Sequence, residues 1–285
     1  MITLDNFQKV LKSLDFANEN NIYTKHFDNV DCDLKVDFAN QKLIYPTEKG
    51  FEVNDGTTSN FSHPENFVVF ECVARLFEKG YRAEHIELEP KWKLGHDAKS
   101  GRADIWVRTA KKDENNEKHS LLIIECKRAG SEFNSAWNDT LKDGAQLFSY
   151  FQQERETKFL CLYTAEIEGE RVLPQYKLIK VEDNDEFLKN NPEKESFKTA
   201  QNNKKLFDVW KETYSQEAAT RGLFEDDIAA YTIGKNKYTV NDLRELMTES
   251  AIKDKYYAFA SILRKFNVSG HENAFDKLVN LFLAK

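Results

Sequence analysis

The feature that most constrains the fold is the segment SLLIIECKRA, residues 120–129, which changes from apolar to charged within one predicted strand. Its run of successive apolar residues, 121–124, predicts a strand at the centre of a sheet, buried on both faces. Glu125 and Lys127 follow at once, at the end of this strand. Charges in such a place are costly unless they are paired, and strand ends are favoured ligand sites in α/β sheets. The segment therefore predicts an α/β fold with a functional site at the end of its central strand.

The neighbouring segments supply the rest of an α/β core. A largely buried helix is predicted from Pro64 to Gly80, because proline favours a first helical position and glycine favours a helix end. Pro174 predicts that the last strand lies at an edge of the sheet, because proline has no backbone N–H to donate to a neighbouring strand. The elements predicted after the first helix are strands over 85–94, 101–108 and 120–129, a helix over 139–154, and strands over 158–167 and 172–181. The core order is therefore helix, three strands, helix, strand.

The length of 285 residues is typical of one or two domains, and the pattern divides the chain into three regions. Residues 1–60 are predicted as an extension packed on the core, with an amphipathic helix over 3–20 followed by a hairpin. Residues 61–185 form the predicted core. Residues 186–285 begin with a polar stretch and continue as a helical connector. The amphipathic pattern stops abruptly at Lys285, which predicts that the chain is a fragment of a longer protein.

Composition excludes several classes of protein. Hydrophobic residues make up 40 % and aromatic residues 13 % of the chain, which supports a large core and excludes wholesale disorder. The net charge of −7 excludes a generic polycation. No apolar run approaches the length of about 18–20 residues that a membrane span needs, and no secretory signal is visible. The cysteines form no CxxC pair, so reduced thiols in the cytoplasm are predicted rather than a zinc site.

Asp104, Glu125 and Lys127 are predicted to form one catalytic cluster of side chains. Residues two apart on a strand point to the same face, so Glu125 and Lys127 project together. Antiparallel pairing with the preceding strand brings the Asp104 carboxylate to about 5 Å from Glu125. Two carboxylates so close repel each other unless a cation lies between them. This favours a hard divalent ion such as Mg²⁺, with the carbonyl of Cys126 as a further ligand. Lys127 would position or deprotonate a water and stabilise charge, as phosphodiester hydrolysis requires.

A structural interpretation of the same residues stays open. An aspartate on one strand and Glu-x-Lys on the next also occur as solvated strand edges or as plain surface ion pairs. Asp104 and Glu125 would then pair with Lys127 and Arg128, and the terminal helices would dock a partner. This alternative predicts no metal site.

The pattern Asp104…Glu125-x-Lys127 resembles that of the PD-(D/E)XK nucleases, with Ala103 in place of the family's proline. The chain is similar to the N-terminal nuclease domain of type I restriction subunit R, and most similar to the version fused ahead of an N6-adenine DNA methyltransferase. The resemblance implies a restriction-endonuclease-like fold, in which a mixed β-sheet is flanked by helices in the order αβββαβ. It also implies a Mg²⁺-dependent DNA endonuclease of a restriction–modification system, in which Mn²⁺ substitutes for Mg²⁺.

Further residues match the family's pattern. The helix that begins near residue 64 resembles the family's first helix, whose glutamate reaches the metal site; Glu65 matches that position, and Glu71 lies deeper in the same helix as the alternative. Gln146-x-x-x-Tyr150 is similar to the family's QxxxY motif. Residues four apart share one helix face, so both side chains are expected to orient the carboxylates or contact a phosphate.

The predicted partner is double-stranded DNA. Residues 91–130 contain ten Lys or Arg and six Asp or Glu, a local excess of four positive charges in an acidic chain. A phosphate path near the metal is predicted from this excess, and its residues are Lys91, Lys93, Lys99, Arg102, Lys127 and Arg128.

Two missing motifs exclude ATP hydrolysis and DNA methylation by this chain itself. The chain contains neither a GxxxxGK[ST] phosphate-binding loop nor the methyltransferase motif NPPY. The resemblance implies that methyltransferase and target-recognition domains follow in the same longer chain. A nuclease fold that binds DNA without cutting it, and an enzyme that cuts RNA, stay open as alternatives.

Overall fold

The computed structural model describes residues 1–90, 102–112 and 118–234, together with residues 253, 256 and 257. Six helices and two open β-sheets lie in these residues, so the predicted mixed α/β class is confirmed. Residues Met1–Asn236 form one compact unit, and Lys237–Lys285 form a second, of which little is described. Within the described residues, no helix has the length and apolar character needed to cross a membrane.

The N-terminal region is a helix followed by a small sheet. Its antiparallel strands lie in the order β1-β2-β3-β4, and the predicted hairpin is the pair β3–β4. The bounds are α1 Leu4–Ser13, β1 Ala17–Glu19, β2 Ile22–Phe27, β3 Cys32–Asp37 and β4 Lys42–Ile44. The predicted helix over 3–20 is too long, because Asp15 takes a left-handed φ of 61° and the chain turns into β1.

The second sheet contains the predicted central strand. Its order is β10-β9-β8-β7-β6-β5, with parallel pairing for β5–β6 and β8–β9 and antiparallel pairing elsewhere. The bounds are β5 Glu52–Val53, β6 Ile86–Leu88, β7 Ile105–Lys112, β8 Lys118–Cys126, β9 Phe159–Glu168 and β10 Arg171–Lys180. Strand β8 lies between β7 and β9, and β10 with Pro174 lies at an edge, as predicted. Strand β6 ends at Leu88, and the part of the predicted strand from residue 91 to residue 94 lies outside the described residues.

Helices cover both faces of this sheet. Helix α2, Glu65–Lys79, follows Pro64 and ends at Gly80, whose φ is 96°, so both predicted ends are confirmed. It packs on β8 and β9, on the same face as α1 and the small sheet. Helices α3 (Ser131–Asp143) and α4 (Ala145–Gln153) cover the opposite face.

The single helix predicted over 139–154 is wrong. The chain is helical from Ser131 and breaks at Gly144, which has a φ of 85°. A Cβ at Gly144 would lie 2.8 Å from Cβ of Phe148. Only glycine fits this conformation and this close approach. The chain therefore forms two separate helices, α3 and α4, on either side of Gly144.

Residues 186–234 pack within the first compact unit. Helix α5 (Asp185–Asn190) is short, and helix α6 (Asn203–Glu212) buries Leu206, Phe207 and Trp210 beside α4. The chain then runs irregularly to residue 234. The helical connector predicted over 186–285 is therefore helical only in part over 186–234, and from residue 235 onward it lies outside the described residues, apart from three positions.

Candidate active site at the end of strand β8

The candidate residues lie where β8 ends, on the face of the sheet that α3 and α4 cover. Successive side chains of β8 point to opposite faces of the sheet. Ile123 packs in the hydrophobic cluster beneath α3 and α4, whereas Ile124 and Cys126 pack in the hydrophobic cluster beneath α2. Glu125 shares the face of Ile123. Its side chain is therefore brought to the boundary between a buried helix layer and the open end of the strand.

Glu125 is 3 % exposed, and each of its carboxylate oxygens has a partner. Oε1 lies 2.6 Å from Nζ of Lys127, and Oε2 accepts a hydrogen bond of 2.9 Å from the hydroxyl of Tyr150. Glu125 and Lys127 thus project to the same side of the strand. The buried carboxylate is stabilised by one cation and one hydroxyl donor.

Asp104 lies immediately before β7, at the position that faces Glu125. The register pairs Ile105 with Ile124, and continuing this register pairs Asp104 with Glu125. Oδ2 of Asp104 accepts a hydrogen bond of 2.7 Å from the backbone N–H of Cys126. The backbone N–H of Cys126 thus holds the Asp104 carboxylate at the end of β8, and the role of the Cys126 carbonyl as a metal ligand stays a prediction.

Helix α2 brings Glu65, and not Glu71, to this group. Oε1 of Glu65, in the first turn of α2, lies 3.4 Å from Nζ of Lys127. Glu71 is fully buried elsewhere, where Oε2 accepts a hydrogen bond of 2.6 Å from Tyr163 and Oε1 pairs with Arg75. Of the two alternatives, Glu65 is the glutamate that lies near the candidate residues.

Helix α4 brings the Gln146 and Tyr150 pair. The Tyr150 hydroxyl is buried and lies 3.0 Å from the carbonyl oxygen of Arg102 as well as near Glu125. Gln146 is exposed, and its Nε2 lies 3.3 Å from the same hydroxyl. Tyr150 therefore orients the Glu125 carboxylate, and Gln146 supports Tyr150 from the solvent side.

The site holds more negative than positive charge. Burial, together with the charges of Glu125 and Glu65, raises the pKa of Asp104 well above its usual value. Burial also raises the pKa of Glu125, although Lys127 opposes this shift. Burial alone would lower the pKa of Lys127, but Glu125 and Asp104 raise it above its usual value. Three carboxylates thus share one ammonium group, an imbalance that a further cation would relieve.

The predicted DNA-contacting residues are only partly described. Arg102 is exposed and forms an ion pair with Asp55. Arg128 forms an ion pair with Glu132 at the start of α3. Lys91, Lys93 and Lys99 lie outside the described residues. The structure therefore brings Arg102 and Arg128 to the neighbourhood of the site, each with an acidic partner.

A cleft of about 370 Å³ opens beside these residues. Glu65, Glu125 and Lys127 form one side, and α3 and α4 form the other. A larger cavity of about 1220 Å³ is lined by residues such as His119 and Arg155 and by none of the candidate residues. In the part of the chain that is described, no three His, Cys, Asp or Glu side chains are grouped so that they could hold a metal ion as they stand.

Sequence reasoning missed the acidic wall of the cleft. Glu132 and Asp139 line it from α3, which was not predicted before residue 139. The signal was present, because Phe133, Ala136 and Thr140 follow the i, i+3, i+7 spacing of a helix face. The missed residues make the cleft more acidic than the local excess of Lys and Arg suggested.

Comparison with known proteins gives no match to any protein-family model and none to any curated protein. The site geometry and the resemblance of its motifs are therefore what point to a function.

Proposed function

We propose that this chain is a Mg²⁺-dependent endodeoxyribonuclease domain with a restriction-endonuclease-like core. The observation that carries the proposal is the convergence of Asp104, Glu125 and Lys127 at the end of the central strand, joined there by Glu65 and Tyr150. Glu65 comes from α2, Asp104 from the residue before β7, Glu125 and Lys127 from the end of β8, and Tyr150 from α4. The buried Glu125 carboxylate contacts both Lys127 and the buried Tyr150, which a plain surface ion pair would not require.

The order of elements supports the proposed fold. Helix α2 is followed by β6, β7 and β8, then by α3 and α4, and then by β9, which lies parallel to β8. This is a helix, three strands, a helical pair and a strand around one mixed sheet. The αβββαβ core of the resembled family has the same order, with one helix where this chain has two.

Oxygen donors such as these carboxylates are the ligands that a hard divalent cation prefers. Among the described residues no three of them are grouped as a metal site as they stand, so the side chains would have to draw together around the ion. Asp104 and Glu125 would hold Mg²⁺ or Mn²⁺, with Glu65 and the carbonyl of Cys126 as further oxygen donors. Such an ion supplies an activated water and neutralises charge at the scissile phosphate. Burial and the neighbouring carboxylates raise the pKa values of Asp104 and Glu125, and a bound cation would offset this effect.

Lys127 stabilises charge in the proposed reaction. Glu125 and Asp104 raise the pKa of Lys127, which favours its charged form in the metal-free chain. Its ammonium group therefore favours the extra negative charge that develops on the phosphate. Tyr150 holds Glu125 in place through the 2.9 Å hydrogen bond.

The biological setting follows from the resemblance. We infer that the substrate is double-stranded DNA and that methyltransferase and target-recognition domains accompany this one in a longer chain. The domain would then be the cutting part of a restriction–modification enzyme that acts against foreign DNA in the cytoplasm.

The test is a calorimetric titration of Mn²⁺ and Mg²⁺ into the chain and into its Asp104→Ala variant, each with and without a short DNA duplex. Binding to the wild type that disappears in the variant is the expected result. Plasmid nicking that requires the same residue then establishes the activity. Absence of metal binding to the wild type in both conditions contradicts the proposal.

A second function is favoured by one contact. Nζ of Lys127 already pairs with Glu125 and Glu65, at 2.6 Å and 3.4 Å. This is how a domain that binds DNA or another protein without cutting would neutralise its carboxylates. The Lys127→Ala variant separates the two functions: loss of cutting with retained DNA binding supports the enzyme, and unchanged behaviour supports the binding domain.

A further inference from the structure

Glu89 is a buried glutamate that the sequence analysis did not single out. It directly follows β6 and is 4 % exposed. Its φ of 52° lies in the left-handed region, which a residue with a Cβ adopts at a cost. Strain of this kind persists only where the surroundings fix the residue firmly. The contacts of the Glu89 side chain show which groups fix it.

The Glu89 carboxylate is surrounded by donors from one loop. Oε2 accepts hydrogen bonds from the backbone N–H groups of Asp55, at 3.0 Å, and Gly56, at 2.7 Å. Oε1 accepts from the N–H of Thr58, at 2.9 Å, and from the hydroxyl of Thr57. The two oxygens thus fix four consecutive residues, 55–58, without contacting the candidate site.

The anchored loop leads to the site by two routes. Along the first, the Asn66 amide donates to the carbonyl of Thr57, at 2.8 Å, and Asn66 adjoins Glu65 at the start of α2. Along the second, Asp55 pairs with Arg102, whose carbonyl lies 3.0 Å from the Tyr150 hydroxyl.

A third connection is direct. The backbone N–H of Glu89 donates to the carbonyl oxygen of Asp104, at 3.1 Å. Glu89 therefore connects to the segments that carry Asp104, Glu65 and the Tyr150–Glu125 pair.

We propose that Glu89 is a positioning residue of the metal site, holding the loop 55–58 so that Asp104, Glu65 and Tyr150 converge. This inference rests on the proposed function. The chemistry favours a carboxylate, because three of the loop groups are N–H donors that cannot accept, the fourth is a hydroxyl that donates here, and a carboxylate only accepts. A glutamine of the same shape would turn an NH₂ group toward one pair of these donors.

The test compares Glu89→Gln with Glu87→Gln. Glu87 lies in β6, is 7 % exposed and contacts the same part of the chain through the Asn54 side chain, at 2.8 Å, so it is a matched buried glutamate. Mn²⁺ affinity is measured by calorimetry, plasmid nicking is measured at saturating Mn²⁺, and hydrogen exchange is followed for amides 55–58.

We expect Glu89→Gln to weaken Mn²⁺ binding about 10- to 100-fold, the range found when an outer partner of a metal ligand is lost. The loop amides should also exchange faster. Glu87→Gln should stay within about twofold of the wild type for Mn²⁺. If Glu89→Gln does not fold, Thr57→Val decides the question, with an expected loss of about threefold for one hydrogen bond.

The outcomes separate the two proposals. Wild-type Mn²⁺ affinity in Glu89→Gln, or an equal loss in Glu87→Gln, overturns the role of Glu89 and leaves the proposed function standing. A wild-type chain that binds no Mn²⁺ even with duplex present overturns the proposed function, and the role of Glu89 falls with it.

Discussion

At the level of single residues, the site has one ammonium group, that of Lys127, for the carboxylates of Asp104, Glu125 and Glu65. Lys127 places Nζ 2.6 Å from Glu125 and 3.4 Å from Glu65, and Asp104 lies close enough to both glutamates for their charges to raise its pKa. Lys127 thus occupies the position of a counter-ion. A divalent ion entering the site must share these carboxylates with it.

The Lys127→Met variant tests this competition. Removing the ammonium group should strengthen Mn²⁺ binding by about tenfold, since a hydrogen-bonded ion pair contributes about 1.5–3 kcal/mol and part of it is lost when the metal binds. Calorimetric titration measures the change, with Lys158→Met as the control because Lys158 pairs with Glu182 away from the site. Weaker Mn²⁺ binding by Lys127→Met would show that Lys127 does not compete.

Asp104 should make the metal-free chain less stable as the pH rises. The pKa of Asp104 is raised in the folded state above its usual value of 3.8, so the folded state binds more protons than the unfolded state above that pH. The stabilisation is complete below the unfolded pKa and is lost as the pH rises through the folded pKa. Asp104→Asn keeps an acceptor for the Cys126 N–H and removes this loss.

Urea unfolding measures this effect. Between about pH 5 and about pH 8, the free energy of unfolding of Asp104→Asn should rise relative to that of the wild type, because the wild type loses stability as Asp104 ionises. Added Mn²⁺ should stabilise the wild type and leave the variant unchanged. A constant difference between the two proteins across this range contradicts the shift.

At the element scale, the break between α3 and α4 shapes the cleft. Helix α3 contributes Glu132 and Asp139 to one wall, whereas α4 contributes Gln146 and packs Tyr150 against Glu125. One continuous helix could not direct both sets of side chains into the same cleft. Gly144, with a φ of 85°, makes the two directions possible.

Gly144→Ala should therefore destabilise the fold. The alanine would be strained at this φ, and its Cβ would lie 2.8 Å from that of Phe148, so we expect a loss of about 1–3 kcal/mol. Gly169→Ala is the matched control, since Gly169 also has a positive φ of 62° but no atom within 4 Å of an added Cβ. Urea unfolding should show the larger loss at Gly144, and equal losses would mean that the contact with Phe148 is relieved without cost.

At the scale of the whole molecule, the central sheet separates two hydrophobic clusters in the described residues. The cysteines, Cys32, Cys72, Cys126 and Cys161, are all buried on the α2 side. Trp137 and Trp210 lie on the α3 side, where they contact each other with ring centroids 6.2 Å apart. The two sides therefore carry different natural probes.

The two faces should unfold together, because β8 and β9 contribute side chains to both clusters. Thiol reactivity reports the α2 side. Tryptophan fluorescence reports the α3 side when it is measured in a Trp92→Phe variant, because Trp106, Trp137 and Trp210 all belong to that cluster. Their urea midpoints are expected to coincide in the full chain. Thiols that react at a clearly lower urea concentration would show that the α2 side opens alone.

Much of the fold could be predicted because it depends on local patterns. The apolar run before Glu125 specifies a central strand, and Pro64 and Gly80 specify the ends of α2. The helix at the N-terminus and the helix pair α3–α4 were misjudged in their bounds, because a left-handed Asp15 and a close contact at Gly144 terminate helices that periodicity would extend.

Local patterns along the chain specify that β8 is buried and that Glu125 and Lys127 project together at its end, since both follow from alternation over a few residues. Packing between distant elements is what brings Glu65 rather than Glu71 to Lys127, Tyr150 to Glu125, and Glu89 to residues 55–58. These contacts join residues 62, 25 and 33 positions apart. No local pattern specifies such pairs, because they form only when separate elements pack on the same sheet.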